Sequence, residues 1–426
     1  MQAAFQKWTF GAFMIASTTP ALAQLQETGS NPTSQAEAAS KATSPHIPAP
    51  KAEAEGAAVD LSIVYTFDVW HNSRGGIREG TRYLDNLDLT AKVDAEKLLG
   101  WRGATLFAYA LYNNGEGMSR DLTGDFQSAS NIETDVRAGR LYEAWIEQRF
   151  AKDQASVKIG LYDLNSEFDC QQTGALFINS SQGIGPDFSQ SGENGPSIFP
   201  VTSLALRGDY RFKGGWLVRA AVLDGVAGDP NHPKRFAAIE LRHGDGALLV
   251  GDVERELGRY RAVIGYWRYT AQFDDILATA RAGHPVRGGG NDGVYMTLER
   301  RFVPVDQQTD SGLRGWLRLG FANDHYNPLD HFFGGGLVYT GPFKRRAEDQ
   351  VGIAFGWAHF GKPYRRAGAL KGNPSLNFEL SIEGTYRAVV NRWLTLQPDL
   401  QYIVNPGAVP GRRNALLFGL RTQVGF

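Results

Sequence analysis

Along most of this chain apolar and polar residues alternate one by one. The last stretch shows it most plainly. In WLTLQPDLQYIV, Leu394, Leu396, Leu400, Tyr402 and Val404 fall on one parity, and Thr395, Gln397, Asp399 and Gln401 fall on the other. After NPGAVPG the alternation resumes, with Leu416, Phe418, Leu420, Val424 and Phe426 set against Arg421 and Gln423. A period of two belongs to a β-strand. A hairpin this long needs a place for an apolar face and a place for a polar one. A transmembrane barrel supplies both, with lipid outside and a wet lumen inside.

From Val59 onward the pattern predicts sixteen strands, at 60–70, 82–98, 101–113, 140–151, 155–165, 200–212, 215–223, 246–256, 259–270, 292–303, 311–322, 334–341, 349–360, 376–389, 393–404 and 412–426. In the second, Leu87, Leu89, Ala91, Val93 and Ala95 oppose Asn86, Asp88, Thr90, Lys92, Asp94 and Glu96. In the fourth, Tyr142, Ala144, Ile146 and Phe150 oppose Glu143, Glu147 and Arg149. In the sixth, Leu204, Leu206, Tyr210 and Phe212 oppose Ser203, Arg207, Asp209 and Arg211. In the fourteenth, Phe378, Leu380, Ile382 and Tyr386 oppose Glu379, Ser381, Glu383 and Arg387. A charge facing lipid costs about 2–4 kcal/mol at mid-membrane, so these charges decide which parity meets water. Arg268 in the ninth strand breaks the rule by sharing a parity with Ile264 and Tyr266. A position near a rim, where the guanidinium can snorkel, would accommodate it.

The links alternate too. After the even-numbered strands they are brief, such as LG, KDQ and KG. After the odd-numbered ones they are mostly longer, and the one near 166–199 is the longest. Short turns at one rim and long loops at the other mark an all-β outer-membrane barrel. Soluble β-helices and sandwiches also alternate, but they do not require that asymmetry. The parity of the count rests on leaving FAAIELRH (236–243) in a loop.

Composition narrows the function. The net formal charge of −1 argues against a nucleic-acid partner, which favours a strong basic excess. The single cysteine, Cys170, excludes an internal disulfide, and no paired base beside it suggests a nucleophile. The eight histidines show no HxH or HxxxH spacing, and His232, His284, His325 and His331 read as loop residues, so no metal site is expected. No Gly-rich phosphate loop joins a strand to a helix, and no cofactor is expected. At the N-terminus, Lys7, the apolar run WTFGAFMIA and TTPALA ending at Ala23 have the form of a cleaved export signal over 1–23. Residues 24–57, rich in Ala, Pro, Ser, Glu and Lys, read as a flexible periplasmic leader, and 58–426 as the barrel.

Several longer words then become recognisable. YLDNLDL (83–89), LYDLNSEFD (161–169), INSSQGIGP (178–186), SQSGENGPSIFPVTSLA (189–205), YWRYTAQFDD (266–275), WLTLQPDLQYIVNPG (393–407) and NALLFGLR (414–421) resemble the carbohydrate-selective, OprB-like porins. The resemblance spans about 60–426. It implies a sixteen-stranded outer-membrane channel passing glucose and related sugars into the periplasm. Its partners would be monosaccharides or small oligosaccharides, outer-membrane lipid and the assembly machinery. A homotrimer is common among sixteen-stranded porins, though no interface in the sequence demands it.

Such a channel needs a constriction that exchanges hydrogen bonds with sugar hydroxyls and still releases them. The long segment after the fifth strand is the candidate infolded loop, with Glu167, Phe168, Asp169, Phe177, Asn179, Asp187 and Phe188. Arg207 and Asp209 follow it on the lumen parity, and Arg82 and Asp88 lie in the second strand. The expected constriction set is Arg82, Asp88, Glu167, Phe168, Asp169, Asn179, Arg207 and Asp209. Glu143, Glu147, Gln397, Asp399 and Gln401 are expected on the lumen wall. Each could equally belong to a charge ladder that solvates that wall. Trp70, Trp101, Trp216, Trp357 and Trp393 read as an interfacial aromatic girdle, and Phe426 as the terminal assembly signal. The rivals are a general porin without sugar preference, a structural anchor served by the leader, and a barrel enzyme acting on lipid. The last would need a Ser/His/acid set at the lipid–water boundary, and none is found.

Overall fold

The computed structural model describes residues 57–115, 117–302 and 311–425. Sixteen antiparallel strands close into one barrel. They are β1 Val59–Arg74, β2 Gly80–Asp94, β3 Ala104–Gly115, β4 Ala138–Phe150, β5 Ala155–Tyr162, β6 Ser203–Phe212, β7 Trp216–Asp224 and β8 Ala247–Leu257. The second half is β9 Tyr260–Tyr269, β10 Asp292–Arg301, β11 Gly312–Ala322, β12 Leu329–Thr340, β13 Gln350–Phe360, β14 Phe378–Asn391, β15 Leu394–Val404 and β16 Ala415–Gly425. Closure comes from β1 on β16, in register from Val64↔Gly425 to Asn72↔Leu417 and shifting by one at Arg74↔Leu416. No backbone edge is left for hydrocarbon, which is why a strand protein can span a membrane at all. Among the described residues no helix is long and apolar enough to cross one.

The predicted parities set the wall. Leu206, Ile264 and Phe418 are about half exposed on the outer surface, whereas Arg207 is 2% and Gln401 0% exposed inside. Arg268 does face outward, at the long-loop rim, beside Asp292 at 3.8 Å. Residues 236–243 lie in the β7–β8 loop, and the barrel count stands at sixteen, with a further two-stranded ribbon, Phe273–Asp274 on Arg287–Gly288, in the β9–β10 connection.

Four details differ from the sequence reading. Alternation in the second strand stops at Asp94, because its carboxylate caps a helical turn, Ala95–Leu99, that ends at left-handed Gly100. Tyr142 does not face lipid. Pairing steps from Tyr109↔Glu143 to Ala110↔Leu141, so Tyr142 is the extra residue of a bulge and packs inside on Tyr109 and Phe199. Trp70 also points inward, fully buried with Leu84, Met118 and Leu417, while Trp101, Trp216 and Trp393 stand exposed at the short-turn rim. Finally, β12 starts at Leu329, so His331 is a strand residue. The run Gly334–Gly336 lies within this strand, where it leaves room for an aromatic neighbour. A Cβ on Gly336 would stand 2.5 Å from the Trp316 ring.

Candidate functional site

Two loops, and not one, fold into the lumen. The expected one, 163–202, joins β5 to β6, and 117–137 joins β3 to β4. Their side chains are largely buried: Leu164, Phe168, Ile184 and Phe188 in the first, and Met118, Leu122 and Ile132 in the second, are all 0% exposed. Phe188 stacks flat on Trp267 at 4.9 Å, which fixes the far side of the longer loop to β9.

Charged side chains of the wall hold the loops in place. Arg318 on β11, 1% exposed, donates from Nε and Nη2 to Asp169 at 2.8 and 2.6 Å, and from Nη1 to Asp187 at 2.6 Å. Two charge-assisted bonds of matching geometry on one carboxylate make this a strong clasp. It depends on close approach: a Cβ on Gly185 would sit 1.9 Å from Arg318 Nη1, and one on Gly320 2.1 Å from Asp187 Oδ2. Burial pushes the Asp169 carboxyl up to about 6 despite the guanidinium. At the root of the loop, Glu167 meets Arg207 at 2.6 Å, Lys158 at 2.7 Å and the Tyr162 hydroxyl at 2.9 Å. Burial would raise that carboxyl, but the two cations outweigh it and hold it down at about 2.

Wall glutamates accept the loops' backbone N–H groups. Glu299 on β10 takes Gln172 and Thr173, and Glu383 on β14 takes Ile178 and Asn179. Glu379 on β14 takes Phe126, Gln127 and Gly407. A buried N–H without a partner is costly, so these carboxylates let irregular backbone cross the lumen. Gln401 serves both loops at once, donating to Ala129 O at 2.8 Å and accepting from Asn179 at 3.0 Å. Arg421 bonds Asp68 through two nitrogens at 2.8 Å and reaches Asn131 at 2.8 Å. Along the wall a ladder runs Asp252–Arg219–Glu254–Arg261–Glu299, with steps of 2.7–3.1 Å.

The residues expected from the sequence fall into three groups. Glu167, Arg207, Asp209 and Glu147 meet in one cluster, with Arg207 at 2.7 Å from Asp209 and 2.9 Å from Glu147. Asp169, Asn179, Gln397 and Gln401 anchor the long loop, Gln397 donating to Leu176 O at 2.8 Å and Asp399 accepting from Gln401 at 3.1 Å. Of the others, Arg82 pairs with Asp121 of the shorter loop at 3.0 Å and Asp88 accepts from Tyr109 at 2.6 Å, while Glu143 accepts from Trp145 Nε1 at 3.0 Å and from the Asp163 N–H at the start of the long loop at 3.2 Å. Phe168 is packed within the loop core and lines no passage. Phe426 lies outside the described residues. Sequence reasoning missed Arg318, Arg421, Glu299, Glu379, Glu383 and the whole 117–137 loop. Their one signal is lumen parity in strands such as WLRLGF.

Between the loops and the wall remains a cavity of about 270 Å³. Asn131 of one loop, Asn165 and Phe177 of the other, and Arg314, Arg387 and Gln423 of the wall are among its lining. It is smaller than the ~300–1,000 Å³ usual for drug-sized ligands and suits one small polar solute.

Comparison with known proteins agrees with this architecture. Porin B of Pseudomonas aeruginosa is 27% identical over 413 residues, covering 86% of this chain and 87% of that protein. The high-pH structure of Pseudomonas putida OprB superposes with a TM-score of 0.75 at 24% identity, over 87% of this chain and 94% of that one. The outer membrane channel DcaP of Acinetobacter baumannii shares the fold at a TM-score of 0.54 and 9% identity, over 86% of this chain and 97% of that one. The family model described as carbohydrate-selective porin, OprB family, matches residues 78–426. Since that match runs through every barrel strand but the first, the chain belongs to the OprB family of carbohydrate-selective porins and resides in the outer membrane.

Proposed function

We propose that sugars cross this porin by passive diffusion and are read where the two inward loops narrow the lumen. The observation that carries this reading is the cavity between Asn131, Asn165, Arg314, Arg387 and Gln423, with the Phe177 ring on the same lining. Amides and guanidinium groups exchange hydrogen bonds with hydroxyls, and an aromatic face accepts the C–H side of a sugar ring. No covalent step is involved: the site binds weakly, orients and releases. In this reading Glu167, Arg207, Asp209, Asp169 and Asn179 shape the constriction by holding the long loop, and Arg82 and Asp88 support the shorter one. Lipid around the apolar exterior, the assembly machinery reading Phe426, removal of 1–23 on export and assembly as a homotrimer belong to the same proposal.

The test is interruption of single-channel ion current by glucose. Wild type is expected to show saturable block, and Arg387→Ala and Gln423→Ala to weaken it while open-channel current persists. Unchanged glucose block in both variants would place recognition elsewhere.

A further inference from the structure

A second polar group sits on the outside of the barrel, away from the lumen. His331 on β12 and His359 on β13 are register partners, so their side chains stand opposite each other on the outer face. Asp330 is the extra residue where the register shifts between Leu329 and His331. Its Oδ1 lies 2.6 Å from His359 Nδ1 and 3.0 Å from His331 Nδ1. The carboxylate is nearly buried, whereas His331 is about half exposed. Among the described residues no lysine or arginine is bonded to Asp330.

The geometry points to a divalent transition-metal site built from Asp330, His331 and His359 at the long-loop rim. Two imidazoles and one carboxylate suit a borderline ion such as Zn²⁺, Cu²⁺ or Ni²⁺. In a tetrahedral zinc site with bonds of about 2.0–2.1 Å, ligand atoms stand about 3.3 Å apart. The His331–Asp330 separation would open by about 0.3 Å and the His359–Asp330 separation by about 0.7 Å to reach that spacing. Asp324 adds negative charge nearby: its Cβ lies 3.0 Å, and that of Asp330 3.6 Å, from where a side chain on Gly361 would begin. The ion binds the imidazoles in their neutral form, with the ring proton on Nε2, so it competes with protons and affinity falls as pH drops. The bound ion ties β12 to β13 beside the helix Lys362–Leu370 and leaves the solute path untouched.

The group Asp229, His232 and Glu240 does not compete as a site. Arg235 and Arg242 both bond Asp229 and Glu240, so cations already satisfy that charge. Local spacing could not reveal the Asp330 group, because its histidines meet only through the β12–β13 register.

The experiment is titration of the full exported chain, purified in detergent without a histidine tag, with ZnCl₂ by calorimetry, alongside Cu²⁺ electron paramagnetic resonance. One ion per chain is expected, with nitrogen couplings from two imidazoles in the copper spectrum. Altering a residue that merely supports a ligand costs 10–100-fold, so His331→Ala and His359→Ala should each weaken binding by at least about tenfold. Asp330→Asn should weaken it as well. Glucose block should be the same with and without zinc. Absence of binding to wild type at millimolar zinc would overturn the assignment, as would stoichiometric binding that survives the double histidine variant. A copper spectrum without nitrogen coupling would overturn it without recourse to a variant.

Discussion

Replacing Arg318 by methionine should release the long loop from the wall. The guanidinium is 1% exposed and bonds two loop carboxylates, Asp169 and Asp187. Removing one partner of a buried ion pair costs about 3–5 kcal/mol, because the remaining charge is stranded. At about 1.4 kcal/mol per tenfold, the docked loop would lose a factor of roughly 10² to several thousand. Asp169 recovers part of this by taking a proton, since burial already pushes its carboxyl up to about 6. Cys170 supplies the reporter. It is the only cysteine in the chain, it adjoins Asp169, and burial pushes its thiol up to about 12. In wild type it should react slowly with a maleimide at pH 8. In Arg318→Met it should react at least tenfold faster, with larger and noisier single-channel currents and a barrel that still migrates as folded on unheated gels. Adding Asp169→Asn and Asp187→Asn should slow the labelling again, because no stranded charge remains. Equal labelling rates and equal currents in wild type and Arg318→Met would refute the clasp.

Other consequences are open to measurement. Gln401→Ala removes a bond to each loop, so current fluctuations should rise more than in Gln397→Ala, which frees one loop; equal traces would deny the bridge. The Glu167 carboxyl is held down at about 2, below the ~4.3 of an unfolded glutamate. Its contribution is therefore complete above about pH 4.3 and lost as pH falls toward 2. The stability gap between wild type and Glu167→Gln should be flat from pH 7 to 5 and close only in that acid window; closure near neutrality would contradict the ion cluster. Leu206→Lys places a charge on the lipid face of β6 and should lower unfolding free energy in lipid by about 2–4 kcal/mol, measured by urea titration; a neutral result would mean that Leu206 does not meet lipid.

The wall was legible because each spanning strand must put charge on one parity only. That constraint repeats sixteen times, and even the misfit at Arg268 was resolved by its place at a rim. What escaped were features in which one residue shifts the parity or tertiary packing overrides it. Tyr142 reads as lipid-facing until a bulge turns it inward, and Trp70 reads as girdle until a loop packs over it. The 163–202 loop announced itself by length, and its neighbour 117–137 did not, being shorter and without a distinctive word. Glu299, Glu379 and Glu383 look like solvated lumen charges in sequence. Their role as acceptors for loop amides depends on which backbone crosses above them, and that is set by contacts between residues far apart in the chain.

Liposome swelling with glucose and with an amino acid of similar size tests sugar reading at the constriction most directly. The account predicts faster entry of glucose at matched radius. Equal rates for the two solutes, or no swelling with correctly folded protein, would contradict it.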